Sequence, residues 1–299
     1  MSAVPSGPMQ LSGRGGLDER LWPWAIALAG FAAMYVPVYW WAANSIWQTD
    51  DHGHGPIILA VIVWLLWTMR HDIAAAETRP SPLLGGGIFA IGLLVYVAGR
   101  AFGISIFELG SQVLVVAGVF LTLKGKPAFK VAWFAIFYFI FMIPLPGILV
   151  DAVTGPLKNW ISVIVVEFLH GVGYPIARSG VTITIGQYQM LVADACSGLH
   201  SMYSLSALGL VFMHMMQRQS RLHNVLMLVS ILPIAFMANI VRVIVLVLVT
   251  YHFGDETGQG FLHGAAGMLL MLVALFIFFM FDSVLAHFIE QKPVTVSAD

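Results

Sequence analysis

The sequence predicts an all-α polytopic membrane protein. Of its 299 residues, 59% are hydrophobic and only 10% are charged, whereas a soluble domain is about 25% charged. Apolar runs recur along the chain, and crossing the hydrocarbon core takes about 20 such residues. The net charge of −1 offers no basic surface, so we predict no nucleic-acid partner. The single cysteine excludes an intrachain disulfide.

About eight apolar runs are predicted to be transmembrane helices. They cover residues 24–41, 56–69, 83–99, 104–123, 131–150, 199–216, 225–251 and 262–288. The first run ends in Tyr39, Trp40 and Trp41, which is typical of a membrane interface and not of a signal-peptide cleavage site. We predict one transmembrane domain over residues 21–288, with flexible cytoplasmic tails at 1–20 and 289–299.

The distribution of lysine and arginine predicts the orientation of these spans. Ten of the 14 basic residues fall on one set of tails and loops, three fall on the opposite set, and Arg242 lies inside a span. The positive-inside rule therefore places both termini in the cytoplasm. Residues 42–55, a short turn near 100–103, and residues 151–198 and 252–261 then lie on the outer side.

Residues 151–198 form the longest predicted excursion on the outer side. Pro144 and Pro146 should break or kink the end of the preceding helix. The run 157–170 is apolar but short and interrupted by polar residues, so we interpret it as an interfacial or re-entrant helix. The β-branched run 181–192 predicts a short hairpin with its turn near Gly186.

Three chemically active groups reach the outer side from separate parts of the chain. Cys196 is the only thiol and lies at a loop-to-helix junction, where the helix dipole stabilises a thiolate. Arg242 lies roughly 25 Å along its span at 1.5 Å per residue, with Asn239 on the same helix face. His263 begins the last span. The charge topology therefore predicts a thiol, a guanidinium and an imidazole at one depth.

Each of the three groups also has a simpler interpretation. Cys196 fits a small buried hydrophobe, Arg242 a side chain that snorkels to the interface, and His263 a contact with lipid headgroups. However, an ionisable group inside a span is functional by default. The convergence of three such groups favours a site.

A second polar cluster lies in residues 50–56, where two histidines accompany two aspartates. The spacing is not a zinc pattern, so we predict no metal and no cofactor there. His52 and His54 are instead interpreted as lining the way in for a substrate. Asp194 is expected to position the hairpin, and His200 is the reserve candidate for a catalytic base because it is the histidine nearest the thiol.

A thiol, an imidazole and a guanidinium can together perform acyl transfer. A thiolate attacks a peptide carbonyl, and a histidine protonates the leaving amine. A fixed cation stabilises the oxyanion, most strongly where water is excluded. At a membrane boundary, the natural substrate is a chain that leaves a transmembrane anchor.

The chain resembles the bacterial exosortases over roughly residues 45–285. The resemblance is carried by His54-Gly55, Ile143-Pro-Leu-Pro146, Gly155-Pro-Leu157, Gly173-x-Pro175, Ala195-Cys-Ser-Gly198, Ala238-Asn-x-x-Arg242 and Gly260-Phe-Leu-His263, in that order. The segment Asp194-Ala-Cys-Ser-Gly-Leu-His-Ser-Met202 is similar to the B subgroup. Many members carry Arg or Asn where this chain has His200.

The resemblance implies a cysteine transpeptidase or protease in the bacterial inner membrane, with its active site on the periplasmic side. Cys196, Arg242 and His263 carry over as the active trio. The implied partners are membrane lipids and proteins with a C-terminal PEP-CTERM signal, which comprises a Pro-Glu-Pro-like motif, a transmembrane segment and a basic tail. The acceptor of the cleaved chain is an amine or water. Members commonly accompany exopolysaccharide genes.

Two alternatives remain open at this point. A transporter of a lipid-linked sugar would use Arg242 to bind an anionic headgroup and would need no thiol. A non-catalytic assembly factor for a polysaccharide complex would tolerate changes at Cys196, Arg242 and His263. Reactivity of the thiol with a membrane-impermeant alkylating reagent separates a nucleophile from a packed cysteine.

Overall fold

The computed structural model describes residues 18–49, 53–144, 147–191, 198–216, 218, 220–254 and 261–289. Most of them are helical. The helices are α1 (Asp18–Ala43), α2 (Gly55–Thr68), α3 (Arg70–Ala75), α4 (Pro82–Phe102), α5 (Ser105–Leu123), α6 (Lys126–Tyr138), α7 (Gly147–Gly171), α8 (Gly198–Met216), α9 (Arg221–Phe253) and α10 (Phe261–Ile289). The strands are β1 (Ile176–Ser179), β2 (Thr182–Ile185) and β3 (Tyr188–Leu191), and short 3-10 helices cover Ile46–Gln48 and Phe139–Met142.

Within the described ranges, five helices are long and apolar enough to cross a membrane. They cover Trp22–Gln48, Pro82–Phe102, Ser105–Leu123, Arg221–Phe253 and Leu272–Ile289. Gly55–Thr68 and Leu205–Met216 are shorter apolar helices. The helical, multi-pass class is therefore confirmed. The count of eight spans and the cytoplasmic termini remain predictions.

The predicted span over residues 131–150 is wrong, because it joins parts of two helices. α6 ends at Tyr138, a 3-10 helix covers Phe139–Met142, and α7 begins at Gly147. Ile143 is extended, with ψ 120°. Proline disfavours the helical conformation in the residue before it and cannot donate a backbone hydrogen bond. Pro144 thus ends the helix, as the sequence predicts, but apolar residues on both sides conceal the boundary.

Residues 157–170 form the C-terminal part of α7, which is one continuous helix of 25 residues. The helix is therefore longer than the predicted segment. Its buried side carries Ile161, Val165 and Leu169, whereas Trp160 and Phe168 are exposed. This one-sided burial is typical of a helix that packs along the surface of a bundle.

Residues 1–45 and 66–136 form one compact unit. The main packing in it is between α4 and α5, which are joined through Gly103 at φ +66°. A Cβ on Gly92 would lie 2.9 Å from the backbone nitrogen of Val115. Such close approach of two helices requires small residues, as is common in membrane bundles.

Residues 46–65 and 137–299 form the second compact unit. In it, α8, α9 and α10 pack as antiparallel neighbours through two layers of side chains. The layer nearer the start of α9, which we call the lower layer, comprises Phe212, Met227, Ile231 and Phe278. The next layer along α9, which we call the middle layer, comprises Leu205, Ala235 and Ala274. Because the numbers rise along α9 as they fall along α8 and α10, these layers fix the relative level of the three helices.

The three strands form an antiparallel sheet in the order β1-β2-β3. The predicted hairpin is confirmed as β2 and β3, with Ile185 paired to Tyr188 across a two-residue turn at Gly186. Gly186 has φ +56°, a conformation that glycine adopts readily. β1 was not predicted. One face of the sheet packs on α7 and α9 through a hydrophobic cluster that includes Ile183, Ile185 and Met190.

Candidate active site

Arg242 is buried in the second unit, with only 6% of its surface exposed. It lies within α9, 21 residues after Arg221 and 11 before Phe253. Asn239, one turn earlier, is 3% exposed. Burying a guanidinium and an amide on one face of a membrane helix costs free energy. Residues kept there at such a cost usually have a function. The sequence predicts that Arg242 lies inside a helix, and the structure places it there.

The surroundings of Arg242 are mostly apolar. Ile240, Val243 and Leu246 are buried in the cluster that joins α9 to α7 and the sheet. Charge interactions are strong in such surroundings, because little water screens them. The side chain of Arg242 can therefore act on a developing negative charge much more strongly than an exposed arginine could.

The layers of the bundle set the backbone of Arg242 level with the start of α8. Arg242 lies seven residues beyond Ala235 of the middle layer, and Gly198 lies seven residues before Leu205. At 1.5 Å per residue, both backbones lie about 10 Å beyond that layer. His263 lies eleven residues before Ala274, so its backbone is about 16 Å beyond the layer, one turn further than Arg242.

Cys196 and Asp194 lie outside the described residues, as does His52. Gly198, two residues after Cys196, begins α8. Two residues of extended chain span at most about 7 Å, so the α-carbon of Cys196 is within that distance of the α-carbon of Gly198. His200 and His263 lie in the first turns of α8 and α10, and their side chains are also outside the description.

His54 contacts the same helix that follows Cys196. Its ring centroid lies 5.5 Å from that of Tyr203 on α8. The Tyr203 hydroxyl donates a hydrogen bond of 3.0 Å to the carbonyl oxygen of Ile140, and its ring lies 5.0 Å from that of Phe141. His54, one of the two histidines predicted to line the way in for a substrate, thus contacts α8 at Tyr203, five residues after the start of the helix.

The sheet and a residue just before it contact the end of α9. The Thr250 hydroxyl lies 3.9 Å from the sulfur of Met190 on β3. Tyr174, just before β1, contacts both the ring of Tyr251 and Nε2 of His252, the latter at 3.3 Å from its hydroxyl oxygen. These contacts hold β3 beside the helix that carries Arg242, so the chain leaves β3 from a fixed point.

A second buried ionic cluster, formed by Arg218, His223 and Asp282, was missed by the sequence analysis. His223 Nε2 lies 2.7 Å from Asp282 Oδ1, and Arg218 Nη2 donates a hydrogen bond of 2.8 Å to Asp282 Oδ2. His223 is fully buried and Asp282 is 4% exposed. An acidic residue within an apolar run, Asp282, indicates a buried charge in the sequence, but nothing in the sequence identifies the partners of that charge. We call these three residues the Asp282 cluster.

Among the described residues, no group of three His, Cys, Asp or Glu side chains could hold a metal ion. The chemistry that Arg242 and Asn239 offer is that of a buried cation and a buried amide.

A family model of transmembrane exosortases matches residues 40–280. The chain belongs to this family. The match includes α8, α9 and most of α10, and therefore all the predicted site residues of this exosortase. Membership assigns it a protein-processing function in a membrane, and the family is generally one of cysteine transpeptidases. No curated protein and no solved structure matches the chain.

Proposed function

We propose that the chain is a membrane-embedded cysteine protease or transpeptidase that removes the C-terminal PEP-CTERM sorting signal of exported proteins. The observation that supports it most is the buried Arg242, whose backbone is level with the first residue of α8. Cys196 lies only two residues before that point. The site would lie in the inner membrane and face the periplasm. The processing would be linked to the export of surface proteins or exopolysaccharide.

In this proposal, His263 takes the proton of the Cys196 thiol, and the thiolate attacks the carbonyl carbon of the scissile peptide bond. The carbon–nitrogen bond breaks as the tetrahedral intermediate collapses, and His263 gives a proton to the leaving amine. Arg242 stabilises the oxyanion before the collapse, and Asn239 orients Arg242 or His263. A thioester between Cys196 and the substrate remains. Attack by water or by an acceptor amine then releases the chain and restores the thiol.

Asp194, His200, His52 and His54 have supporting roles in the proposal. Asp194 positions the hairpin, and His200 is the alternative base. His54 lines the approach to the site together with His52, which is consistent with its contact to Tyr203. Lipids surround the helices. The transmembrane segment of the substrate holds the substrate in the same membrane as the enzyme.

The replacement Cys196→Ala tests the proposal most directly. Processing of a co-expressed protein with a PEP-CTERM signal should stop, while the variant accumulates in the membrane at the normal level. Mass spectrometry of the wild-type reaction should detect a substrate–Cys196 thioester that hydroxylamine removes. Normal processing by Cys196→Ala would refute the proposal, and loss of function in Arg242→Ala alone would favour transport of a lipid-linked anion.

A further inference from the structure

In the part of the chain that the structure describes, one edge of the sheet lies next to a helix and the other, which we call the open edge, has no partner strand. β1 lies next to α7, and Arg178 on it donates a hydrogen bond of 3.2 Å to the Asn159 side chain of that helix. At the opposite edge, β3 pairs only with β2 among the described residues. An open strand edge presents a row of backbone N–H and C=O groups that can pair with another extended chain.

The register shows which residues of β3 present these groups. A two-residue turn makes Ile185 and Tyr188 a hydrogen-bonded pair, and such pairs alternate along an antiparallel ladder. Tyr188 and Met190 therefore turn their backbone groups toward β2. Gln189 and Leu191 turn theirs toward the open edge, and both residues are exposed, Leu191 to 42%.

The open edge precedes the candidate nucleophile closely in the sequence. Leu191 ends β3, and Cys196 follows five residues later. Because five residues of extended chain span at most about 17 Å, the α-carbon of Cys196 is no further than that from the α-carbon of Leu191. A bound strand covers the same distance in about five residues, so one extended peptide is long enough to pair with β3 and to react at Cys196.

We propose that the substrate peptide binds by adding an extended strand to the open edge of β3, through the backbone groups of Gln189 and Leu191. The inference rests on the proposed function, because it takes the peptide to be the substrate of Cys196. Backbone pairing accepts many sequences, and the side chains that point to alternate faces supply the selectivity. The segment upstream of the substrate's transmembrane helix is the part that must be extended.

A second copy of the chain is the other partner that could pair with this edge. Only two residues of β3 face outward, which gives few hydrogen bonds and a small buried area. A stable protein interface buries about 1,200–2,000 Å². A short edge therefore favours a peptide that binds transiently over a stable dimer.

Scanning the peptide with N-methyl groups tests the inference without altering the protein. A fluorescent synthetic peptide with a Pro-Glu-Pro-like motif and an apolar segment is bound to the Cys196→Ala variant in detergent micelles, and anisotropy is measured. Methylation at alternate positions should weaken binding about tenfold or more, because each methyl removes one donor to the edge, while the positions between are tolerated. An effect without this alternation, or no binding, would refute the inference.

Proline at position 189 gives the matching test in the protein. Gln189→Pro removes an outward N–H, which edge strands tolerate, whereas Gln189→Ala keeps it. The proline variant should bind and cleave the peptide about tenfold less well than the alanine variant. Alkylation of Cys196 by a small impermeant reagent should be equal in both, because that reaction needs no strand.

The outcomes separate the two proposals. Alternating binding without cleavage by the wild-type chain would refute the proposed function and leave strand addition intact. Cleavage that is equal in Gln189→Pro and Gln189→Ala would refute strand addition and leave the function intact. A change of oligomeric state in Gln189→Pro, measured by light scattering, would assign the edge to a second copy instead.

Discussion

Two buried ionic regions lie on α9 and differ in what surrounds them. Near the start of the helix, His223 forms part of the Asp282 cluster, where an acid contacts two basic side chains at 2.7 and 2.8 Å. Nineteen residues further along, Arg242 and Asn239 lie beside Ile240 and Val243, level with the start of α8. The first region joins three parts of the bundle, whereas the second lies in the apolar cluster that joins α9 to α7 and the sheet.

The comparison separates a buried charge used for structure from one available for chemistry. In the Asp282 cluster, the carboxylate connects the turn after α8, the first turn of α9 and α10, so its loss leaves the Arg218 guanidinium and the buried His223 ring without their partner. Arg242 is the group that stabilises the oxyanion in the proposed reaction. Replacements at the first region should therefore change stability, and replacements at the second should change rate.

The largest effect is expected for Asp282→Asn. It should lower the free energy of unfolding by about 3–5 kcal/mol, because breaking a buried ion pair leaves the partner charge uncompensated. Thermal unfolding in detergent, followed by tryptophan fluorescence, measures the loss. Ser283→Ala, at the exposed neighbouring position, is the control. A stable but inactive Asp282→Asn protein would reverse the comparison.

Arg242→Lys should come next, with a loss of about 10²–10³ in the rate of peptide cleavage, as for removal of one oxyanion donor. Lysine keeps the positive charge but lacks the planar, multiple donors of guanidinium. Arg221→Lys, exposed at the start of the same helix, controls for the substitution itself. Stability should fall less than in Asp282→Asn, and equal rates for Arg242→Lys and wild type would contradict the chemical role.

The smallest effect is expected for Tyr203→Phe. The variant keeps the ring contacts to His54 and Phe141 but loses the hydrogen bond to the carbonyl of Ile140. One neutral hydrogen bond contributes about 1 kcal/mol to the free energy of unfolding. Tyr251→Phe is the control, since no hydrogen bond of the Tyr251 hydroxyl is found among the described residues. A loss as large as that of Asp282→Asn would show that neutral contacts matter as much as ionic ones.

The helical architecture was predictable because a membrane span needs a long apolar run, and that requirement is local. Prediction failed over residues 131–150, where two helices share one apolar run and only the prolines mark their boundary. β1 was missed because Ile176, Ala177, Arg178 and Ser179 lack the alternation that β2 shows. β1 forms by pairing with β2, and pairing is not visible in a single segment.

The position of Arg242 inside a long apolar helix was predictable, because it depends only on the run of residues around it. The Asp282 cluster was not, because His223 and Asp282 are 59 residues apart and meet only through the packing of α9 on α10. The contact of His54 with Tyr203 likewise joins distant segments. The helix that carries a residue can thus be inferred from sequence, whereas the partners of that residue require the fold.

The order of synthesis gives the sheet a consequence for biogenesis. α7 and the three strands contact their neighbours in sequence, so they can assemble while the ribosome is still translating the remainder. The apolar face of the sheet, however, is covered by Val243, Leu246 and Val247, which are translated only later. Until α9 is made, Ile183, Ile185 and Met190 have only the α7 side of this cluster to cover them. A chain interrupted before α9 therefore exposes apolar side chains to proteases, and the packing of the sheet is completed only after α9 is translated.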